Sequence, residues 1–388
     1  MNKIIWISAA VLSVAACAKN EVIPVNSGEN QEITFNVAPK TKAGPQTQPG
    51  EFSTGNVFAS WAYYLPTGKT WEANKASAVE YISNAEIAYR EKTKGSTEKV
   101  WKAGDKTYYW PKNGSLTFFA YSLNKGDLQL EKTADKYNDG NSSLLGWTSM
   151  FHCEPLTGIH GFLDLTNDPN TDFLVADIKA DQSANTTTTE NGKFYKDGVP
   201  TLFRHMLSKI LFNVKTADSY TGKSFDLISI TFKKISHAGH YSQFPSESGH
   251  SGFNPVTGNA RTSVIYTKPT KTSFSNNSFT AVVGDKELYI PQTFLDDSEI
   301  EVVYTITTKV LNSADVVETV TKTIKLKDLF PKKYDTVDHT KVISEGWEMG
   351  KKYTINLTFT LDEILWDPAV QEWEDVNIGA DTAPIIVG

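Results

Sequence analysis

The segment Tyr353-Thr354-Ile355-Asn356-Leu357-Thr358-Phe359-Thr360-Leu361 alternates apolar and polar side chains without a break. Its apolar residues recur at a spacing of two. Successive side chains of a β-strand point to opposite faces of a sheet, so this spacing places every apolar group on one face. The segment therefore predicts a strand with one buried face, and it is the strongest strand signal in the chain.

Weaker forms of the same alternation recur along the sequence, about every 8 to 15 residues, with turn residues between them. Few segments show the 3.6-residue periodicity of an amphipathic helix. The pattern predicts an all-β fold built from two β-sandwich domains in tandem. The predicted strands include residues 56–65, 81–89, 172–176, 227–232, 263–266, 278–283, 287–290, 301–308, 317–326 and 364–373.

Two segments carry more specific signals. Residues 107–110 and 116–121 flank Pro111 and the pair Asn113-Gly114, which is the turn chemistry of a β-hairpin. Between residues 201 and 214 the apolar positions change from odd to even numbers near Ser208. A phase change of this kind predicts a bulge or a kink where the strand changes sides.

Composition limits the organisation and the partners. A chain of 388 residues favours two domains, and a formal net charge of −7 without a long basic tract argues against a nucleic-acid partner. We divide the chain into a signal peptide (1–16), a tether (17–31), an N-terminal β-sandwich (32–198), a C-terminal β-sandwich (199–375) and a tail (376–388). The chain has 2 cysteines, so a disulfide framework is impossible if one of them is modified.

The N-terminus reads as an export signal. Lys3 precedes an apolar run from Ile4 to Leu12, and small residues follow. The run Val14-Ala15-Ala16-Cys17 resembles a bacterial lipobox. That resemblance implies cleavage before Cys17 and acylation of its thiol, and several acyl chains would anchor the protein durably in a membrane. The alternative is an ordinary signal peptide followed by a chance cysteine.

A short alternating strand follows the tether. Ile33, Phe35 and Val37 share one face, and the loop after them contains Pro, Gly, Lys40 and Lys42. This loop is exposed and accessible to proteases by composition.

No residue pattern indicates catalysis, a metal or a cofactor. His152, Cys153 and His160, in a segment with no clear period, are fewer than the four ligands of a structural zinc site. The acidic run from Asp164 to Asp172 lacks the glycine and the final glutamate of a calcium loop. His205 lies in phase with apolar neighbours, which is typical of a core histidine. We therefore predict a protein that is not an enzyme.

Aromatic residues are plentiful, with 9 Trp, 16 Tyr and 20 Phe, and six of those between residues 61 and 110 raise a second possibility. They could form a platform that stacks on sugar rings, although aromatic side chains of a sandwich more often fill its core. The residues concerned are Trp61, Tyr63, Tyr64, Trp71, Tyr108 and Trp110.

Four motifs, in this order and spacing, resemble those of the Bacteroidetes fimbrillin family, the Mfa-like subunits of type V pili. They are spread over most of the mature chain, behind the lipobox. The motifs are residues 109–122 (YWPKNGSLTFFAYS), 171–176 (TDFLVA), 203–214 (FRHMLSKILFNV) and 350–353 (GKKY) leading to Trp373.

The resemblance implies two transthyretin-like β-sandwich domains on a lipoprotein of the outer membrane. It also implies that a protease removes the N-terminal strand and that a strand of a neighbouring subunit fills the groove. In this chain the removable strand would carry Ile33, Phe35 and Val37, and the cut would fall at Lys42 and Ala43. The family's best-known cut follows arginine, whereas no arginine precedes Arg90 here.

The tail offers a candidate donor strand. Val376, Ile378, Ala380 and Ile386 occupy even positions of an alternating segment that reaches about 40 Å when extended. The alternative is that the tail is simply the last strand of its own domain, or a frayed end.

We therefore predict a structural or accessory subunit of a type V fimbria that assembles by strand exchange and serves surface adhesion. Its partners would be other fimbrial subunits or further copies of itself, the outer membrane through the lipid on Cys17, and a host or bacterial adhesion target. One alternative is a permanently anchored surface lipoprotein that binds glycan or host protein. Another is a hydrolase whose site the sequence does not reveal.

Overall fold

The structure is a computed structural model of the full chain. It describes residues 31–37, 54–104, 106–123, 150–165, 171–184, 198–244, 252–256, 261–267, 271–330, 333–334, 342–372 and 385–387.

Strands dominate the described residues, which confirms the all-β prediction. The strands in chain order are β1 (Phe35–Asn36), β2 (Val57–Leu65), β3 (Val79–Glu91), β4 (Lys99–Ala103), β5 (Ser115–Leu123), β6 (Met150–Glu154), β7 (Gly158–Asp164), β8 (Phe173–Ala176), β9 (Lys179–Gln182), β10 (Val199–Pro200), β11 (Phe203–His205), β12 (Ser208–Thr216), β13 (Lys223–Ser236), β14 (Ala238–Ser242), β15 (Gly252–Pro255), β16 (Arg261–Thr267), β17 (Thr272–Phe274), β18 (Thr280–Val282), β19 (Leu288–Tyr289), β20 (Gln292–Thr293), β21 (Glu299–Thr308), β22 (Val316–Lys325), β23 (Lys333–Tyr334), β24 (Val342–Ser344), β25 (Gly346–Trp347), β26 (Lys351–Phe359), β27 (Ile364–Glu372) and β28 (Ile385–Val387).

Helix is confined to short connections. The described helices are α1 (Trp71–Asn74), followed by a 3₁₀ turn over Lys75–Ser77, and α2 (Leu326–Leu329). In the described part of the chain no helix has the length and apolar character to cross a bilayer.

The first sheet has nine strands and curls on itself. Its strand order is β10-β1-β4-β3-β2-β5-β8-β11, with β9 beside β5. The two outermost strands, β10 and β11, are joined by only two residues, so the two ends of the sheet lie close together. All eight strands of the path contribute side chains to one hydrophobic cluster, which fills the inside of the curl.

The C-terminal part forms a sandwich. A six-stranded sheet, β18-β12-β26-β27-β28 with β19 beside β12, and a five-stranded sheet, β16-β13-β21-β22 with β17 beside β13, share one hydrophobic core. On β26 the side chains of Tyr353, Ile355, Leu357 and Phe359 are buried in that core, as the alternation predicts, whereas Leu361 lies past the strand and is 41% exposed.

A four-stranded sheet, β15-β14-β7-β6, joins the two parts. In it β14 pairs with β15 on one side and with β7 on the other, so strands from both halves of the chain belong to one sheet. Its side chains pack on the outer face of the curled sheet, in a third cluster. The division at residue 198 stays a prediction, because β10 and β11 follow that residue and yet belong to the first sheet.

The predicted kink near Ser208 is where the chain changes sheets. β11 pairs with β8 in the first sheet, and β12 pairs with β26 in the sandwich. Residues 205–208 are all buried, because the two cores demand opposite phases of alternation on either side of this point.

The predicted hairpin over residues 107–121 is wrong. β5 pairs with β2, β8 and β9, and Tyr109 instead forms a bridge with Glu32 of the N-terminal strand segment. Pro111 and Asn113-Gly114 therefore connect β5 to a segment that lies beside Glu32. Turn chemistry is local and does not specify which strand lies beside β5.

Candidate functional site

The N-terminal strand segment, residues 31–37, lies inside the curled sheet rather than on its surface. Phe35 stands opposite Trp101 of β4 in an antiparallel pair and opposite Val199 of β10 in a parallel pair. The segment is therefore a central strand with a neighbour on each side, and we call the space it occupies the slot.

Backbone hydrogen bonds hold both edges of the segment. On one side the amide of Ile33 donates to the carbonyl of Tyr108 at 2.8 Å, and the amide of Trp110 donates to the carbonyl of Gln31 at 3.1 Å. On the other side the carbonyls of Thr34 and Asn36 accept from the amides of Val199 and Thr201, both at 2.8 Å.

The apolar face of the segment points into the inner cluster. Ile33 and Phe35 are 3% and 4% exposed, and Val37 packs against the same cluster while only partly buried. The ring of Phe35 meets those of Phe58 and Phe118 edge to face, with centroids 5.5 and 5.8 Å apart. Edge-to-face pairs of this kind add to the free energy of burial.

Two further contacts fix the register. The ammonium of Lys102 lies 3.0 Å from a carboxylate oxygen of Glu32, and both side chains are largely buried. Gly198, before β10, has φ +104°, and a Cβ there would lie 2.7 Å from the carbonyl carbon of Phe35. A glycine is therefore needed at this position, both for the backbone conformation and for the close approach. The sequence gives little sign of either contact, because each joins segments that are far apart in the chain.

The other predicted site residues fall mostly outside the described residues. Cys17, Lys42 and Ala43 lie there, and so do Val376, Ile378 and Ala380 of the tail. The described tail residue Ile386 stands opposite Leu365, because β28 pairs antiparallel with β27 of its own sheet. This pairing is the arrangement in which the tail acts as the last strand of its own domain.

The aromatic residues considered as a sugar platform are core residues instead. None of the six is more than 8% exposed, so they present no stacking surface. Three of them show the reason: Trp61 packs on Tyr121, and Tyr63 and Trp71 pack together on Phe119.

His152, Cys153 and His160 lie on the hairpin of β6 and β7, with the two histidines directly opposite each other. Burial raises the pKa of the Cys153 thiol, and burial together with His160 lowers the pKa of His152. A thiol held protonated is a poor nucleophile and a poor metal ligand. No cluster of metal-ligating side chains occurs within the described ranges.

The acidic residues near position 170 serve the fold. Asp172 accepts a hydrogen bond from Nδ1 of His205 at 2.7 Å in the core, and Asp164 lies 3.2 Å from Nδ1 of His237. His205 is thus a core residue, as its phase predicts.

Comparison with known proteins agrees with this architecture. A family model described as fimbrillin-like matches residues 41–373. Among solved structures, a fimbrial protein from Bacteroides vulgatus is 16% identical, with 89% of this chain and 100% of that chain covered and a TM-score of 0.61. This likeness supports the fold.

Two proteins of Porphyromonas gingivalis match more distantly. The tip fimbrial protein Mfa3, with a C-terminal truncation, is 11% identical over 82% of this chain and 94% of that chain, with a TM-score of 0.33. The fimbrial anchor protein Mfa2 is 12% identical over 89% and 98%, with a TM-score of 0.26. No curated protein matches the sequence. Because the family model spans most of the sequence, this chain belongs to the fimbrillin-like family and is a structural fimbrial protein of the cell surface, not an enzyme.

Proposed function

We propose that this protein is exported as an outer-membrane lipoprotein anchored through Cys17, is trimmed at Lys42 and Ala43, and then joins a fimbria by strand exchange. A strand from a neighbouring subunit, either another fimbrial protein or a second copy, fills the slot. The fibre serves surface adhesion to a host or bacterial target.

The observation that carries the proposal is the position of residues 31–37. They form a central strand of the first sheet, and the sequence places Lys40 and Lys42 shortly after them. One cut at Lys42 separates this strand from the other described strands of the first sheet, all of which follow it in the chain.

The energetics favour replacement over an empty slot. Burial of Ile33 and Phe35 contributes about 3–6 kcal/mol together, at roughly 1.5–3 kcal/mol for each side chain. A domain is stable by only about 5–15 kcal/mol. A trimmed subunit therefore loses a large share of its stability until another strand enters.

The emptied slot specifies its occupant. The amides of Trp110, Val199 and Thr201 and the carbonyl of Tyr108 would lose their partners, so the incoming strand must be extended and must offer backbone groups on both edges. Its side chains must be apolar at alternate positions to replace Ile33 and Phe35. The tail residues Val376, Ile378, Ala380 and Ile386 meet this pattern and are our candidate donor.

N-terminal sequencing of sheared surface material tests the proposal. We expect a ladder of assembled species without boiling, whose subunits begin at Ala43. The double variant K40Q/K42Q lacks both lysines at which the cut could fall. It should therefore run on the unboiled gel as a single lipidated band. K69Q, which changes an exposed lysine of the turn before α1, is the matched control and should polymerise normally. Assembled fibres whose subunits still begin at lipidated Cys17 would refute cleavage as a condition of assembly.

A further inference from the structure

The outer edge of β22 is open. β22 pairs with β21 along all ten of its residues and is the last strand of its sheet, and no strand in the described part of the chain pairs with its other side. Val316 and Val317 are each 58% exposed. A long, β-branched edge of this kind presents a row of unpaired amides and carbonyls that can accept another strand.

The sequence of this edge is complementary to itself. If two copies of β22 run antiparallel with Val320 opposite Val320, then Glu318 faces Lys322 and Asp315 faces Lys325 of the other copy. A twofold axis through Val320 relates the two copies in this arrangement, so each of these pairs occurs twice. Val316 then faces Ile324, Val317 faces Thr323, and Thr319 faces Thr321. Cross-strand pairs of opposite charge and of β-branched residues are the ones that stabilise a sheet.

Other registers lose this match. A shift of two residues places Lys322 opposite a valine in one direction and, in the other, places Glu318 opposite Ile324. A shift of four places Glu318 opposite Glu318 or Lys322 opposite Lys322. Like charges directly opposite each other are destabilising, so the charges select one register.

The two faces of the edge are also consistent with this pairing. Val320 and Ile324 lie on the face that packs on the sandwich core, and Thr319, Thr321 and Thr323 lie on the exposed face. In the antiparallel pair each of these residues meets a partner from the same face. Glu318 and Lys322 form no ion pair within the described residues, so each is available to the other copy.

We propose that a second copy of this chain pairs with the β22 edge, antiparallel and about a twofold axis through Val320, so that two five-stranded sheets become one. The edge belongs to the C-terminal sandwich and the slot to the curled sheet, so the association is independent of strand exchange. It would join two subunits side by side, as lateral contact between fibres requires.

Charge reversal tests the pairing. In the full chain carrying C17S, we expect a concentration-dependent dimer in sedimentation velocity. E318K should weaken the dimer about tenfold or more, because it creates two like-charge pairs. Combining E318K with K322E should restore it, and E72K on α1 should change nothing. A monomer at every concentration, or a dimer that E318K leaves intact, would overturn the proposal.

Disulfide formation tests the register. T319C and T321C lie on the exposed face and should each stay mostly monomeric when oxidised alone, since diagonal positions lie about 7–8 Å apart. An equal mixture should give the crosslinked heterodimer, because directly opposed Cβ atoms lie about 4.5–5.5 Å apart. Equal crosslinking of each variant alone, or capture of an N-terminal or tail segment instead of β22, would refute this register.

Discussion

At the scale of single residues, Phe35 illustrates how a two-residue strand can be essential. Its ring contacts Phe58 and Phe118, and it stands opposite Trp101 of β4 on one side and Val199 of β10 on the other. Its neighbour Asn36 is exposed and contributes only its backbone.

We expect F35A to destabilise the untrimmed protein by about 3–5 kcal/mol, the usual cost of truncating a buried phenylalanine. N36A, one residue away on the opposite face, should cost about 0.5 kcal/mol or less. Urea unfolding followed by tryptophan fluorescence measures both. Equal losses for the two variants would mean that the segment is held by its backbone alone.

Lys286 is a buried cation. Its ammonium donates to the carbonyl of Leu165 at 3.2 Å and lies 5.7 Å from the ring centroid of Tyr289. Burial lowers its pKa from 10.5 to about 8, against the opposing influence of Asp164. The native state therefore disfavours the charged form of Lys286, and this lowers the free energy of unfolding at neutral pH.

This residue gives a signed pH dependence. Between pH 8 and pH 10.5 the unfolded chain binds more protons at Lys286 than the native one, so its contribution to stability rises with pH. Above about pH 10 the buried tyrosines oppose this trend, because burial raises the pKa of Tyr304 to about 12 and unfolded tyrosines ionise first.

We expect K286M to stabilise the protein at pH 7 by about 1–3 kcal/mol, with an advantage that shrinks as pH approaches 10. Urea unfolding at pH 7, 8, 9 and 10 measures the difference. K69M, at an exposed position, should show no such trend. A difference between K286M and the natural chain that stays constant over this range would contradict the assignment.

At the scale of elements, β1 behaves as a detachable part. It meets β10 in parallel and β4 in antiparallel pairing, and Gly198 lets β10 approach its backbone. Within the described ranges, the backbone hydrogen bonds of residues 31–37 to the rest of the fold join residues that are distant in sequence. A copy of the strand supplied from outside can therefore make the same contacts.

We expect a chain that begins at Ala43 to be less stable than the full chain by roughly 3–6 kcal/mol, from the lost burial. A synthetic peptide of residues 31–37 should raise its melting temperature in proportion to the logarithm of peptide concentration. The same peptide with aspartate in place of Ile33 and Phe35 should have no effect. Equal rescue by both peptides would exclude specific entry into the slot.

At the scale of the whole molecule, the first and the last described strands lie in different sheets. β1 closes the curled sheet, whereas β28 adds to the sandwich beside β27, which already pairs with β26. β28 is therefore an edge strand of its sheet, whereas β1 is a central strand of its own.

We expect deletion of residues 376–388 to leave folding nearly intact and to abolish polymers. β27 keeps its nine pairs with β26, so the loss of stability should be small. Circular dichroism measures folding, and unboiled gels of surface material measure assembly. The single variant I386D places a charge at one of the apolar positions of the candidate donor strand. It should polymerise less without unfolding. Normal ladders from the deleted chain would exclude the tail as donor.

The sequence alone determines which segments form strands and which face of each strand is buried. Alternation at residues 353–359 and the phase change near Ser208 report which side of each strand is buried, and that is a local property of a period-two pattern. The same reasoning placed the apolar face of Ile33 and Phe35 and identified His205 as a core residue.

Pairing partners were a different matter. The turn chemistry at Pro111 and Asn113-Gly114 predicted a hairpin, but in the fold Tyr109 lies beside Glu32 and β5 lies beside β2. The Lys102–Glu32 contact, the approach of Gly198 to Phe35 and the burial of Lys286 also join distant segments. Which strands become neighbours depends on how the three hydrophobic clusters pack. The free energy of that packing involves side chains from the whole chain, so the periodicity of a single segment does not report it.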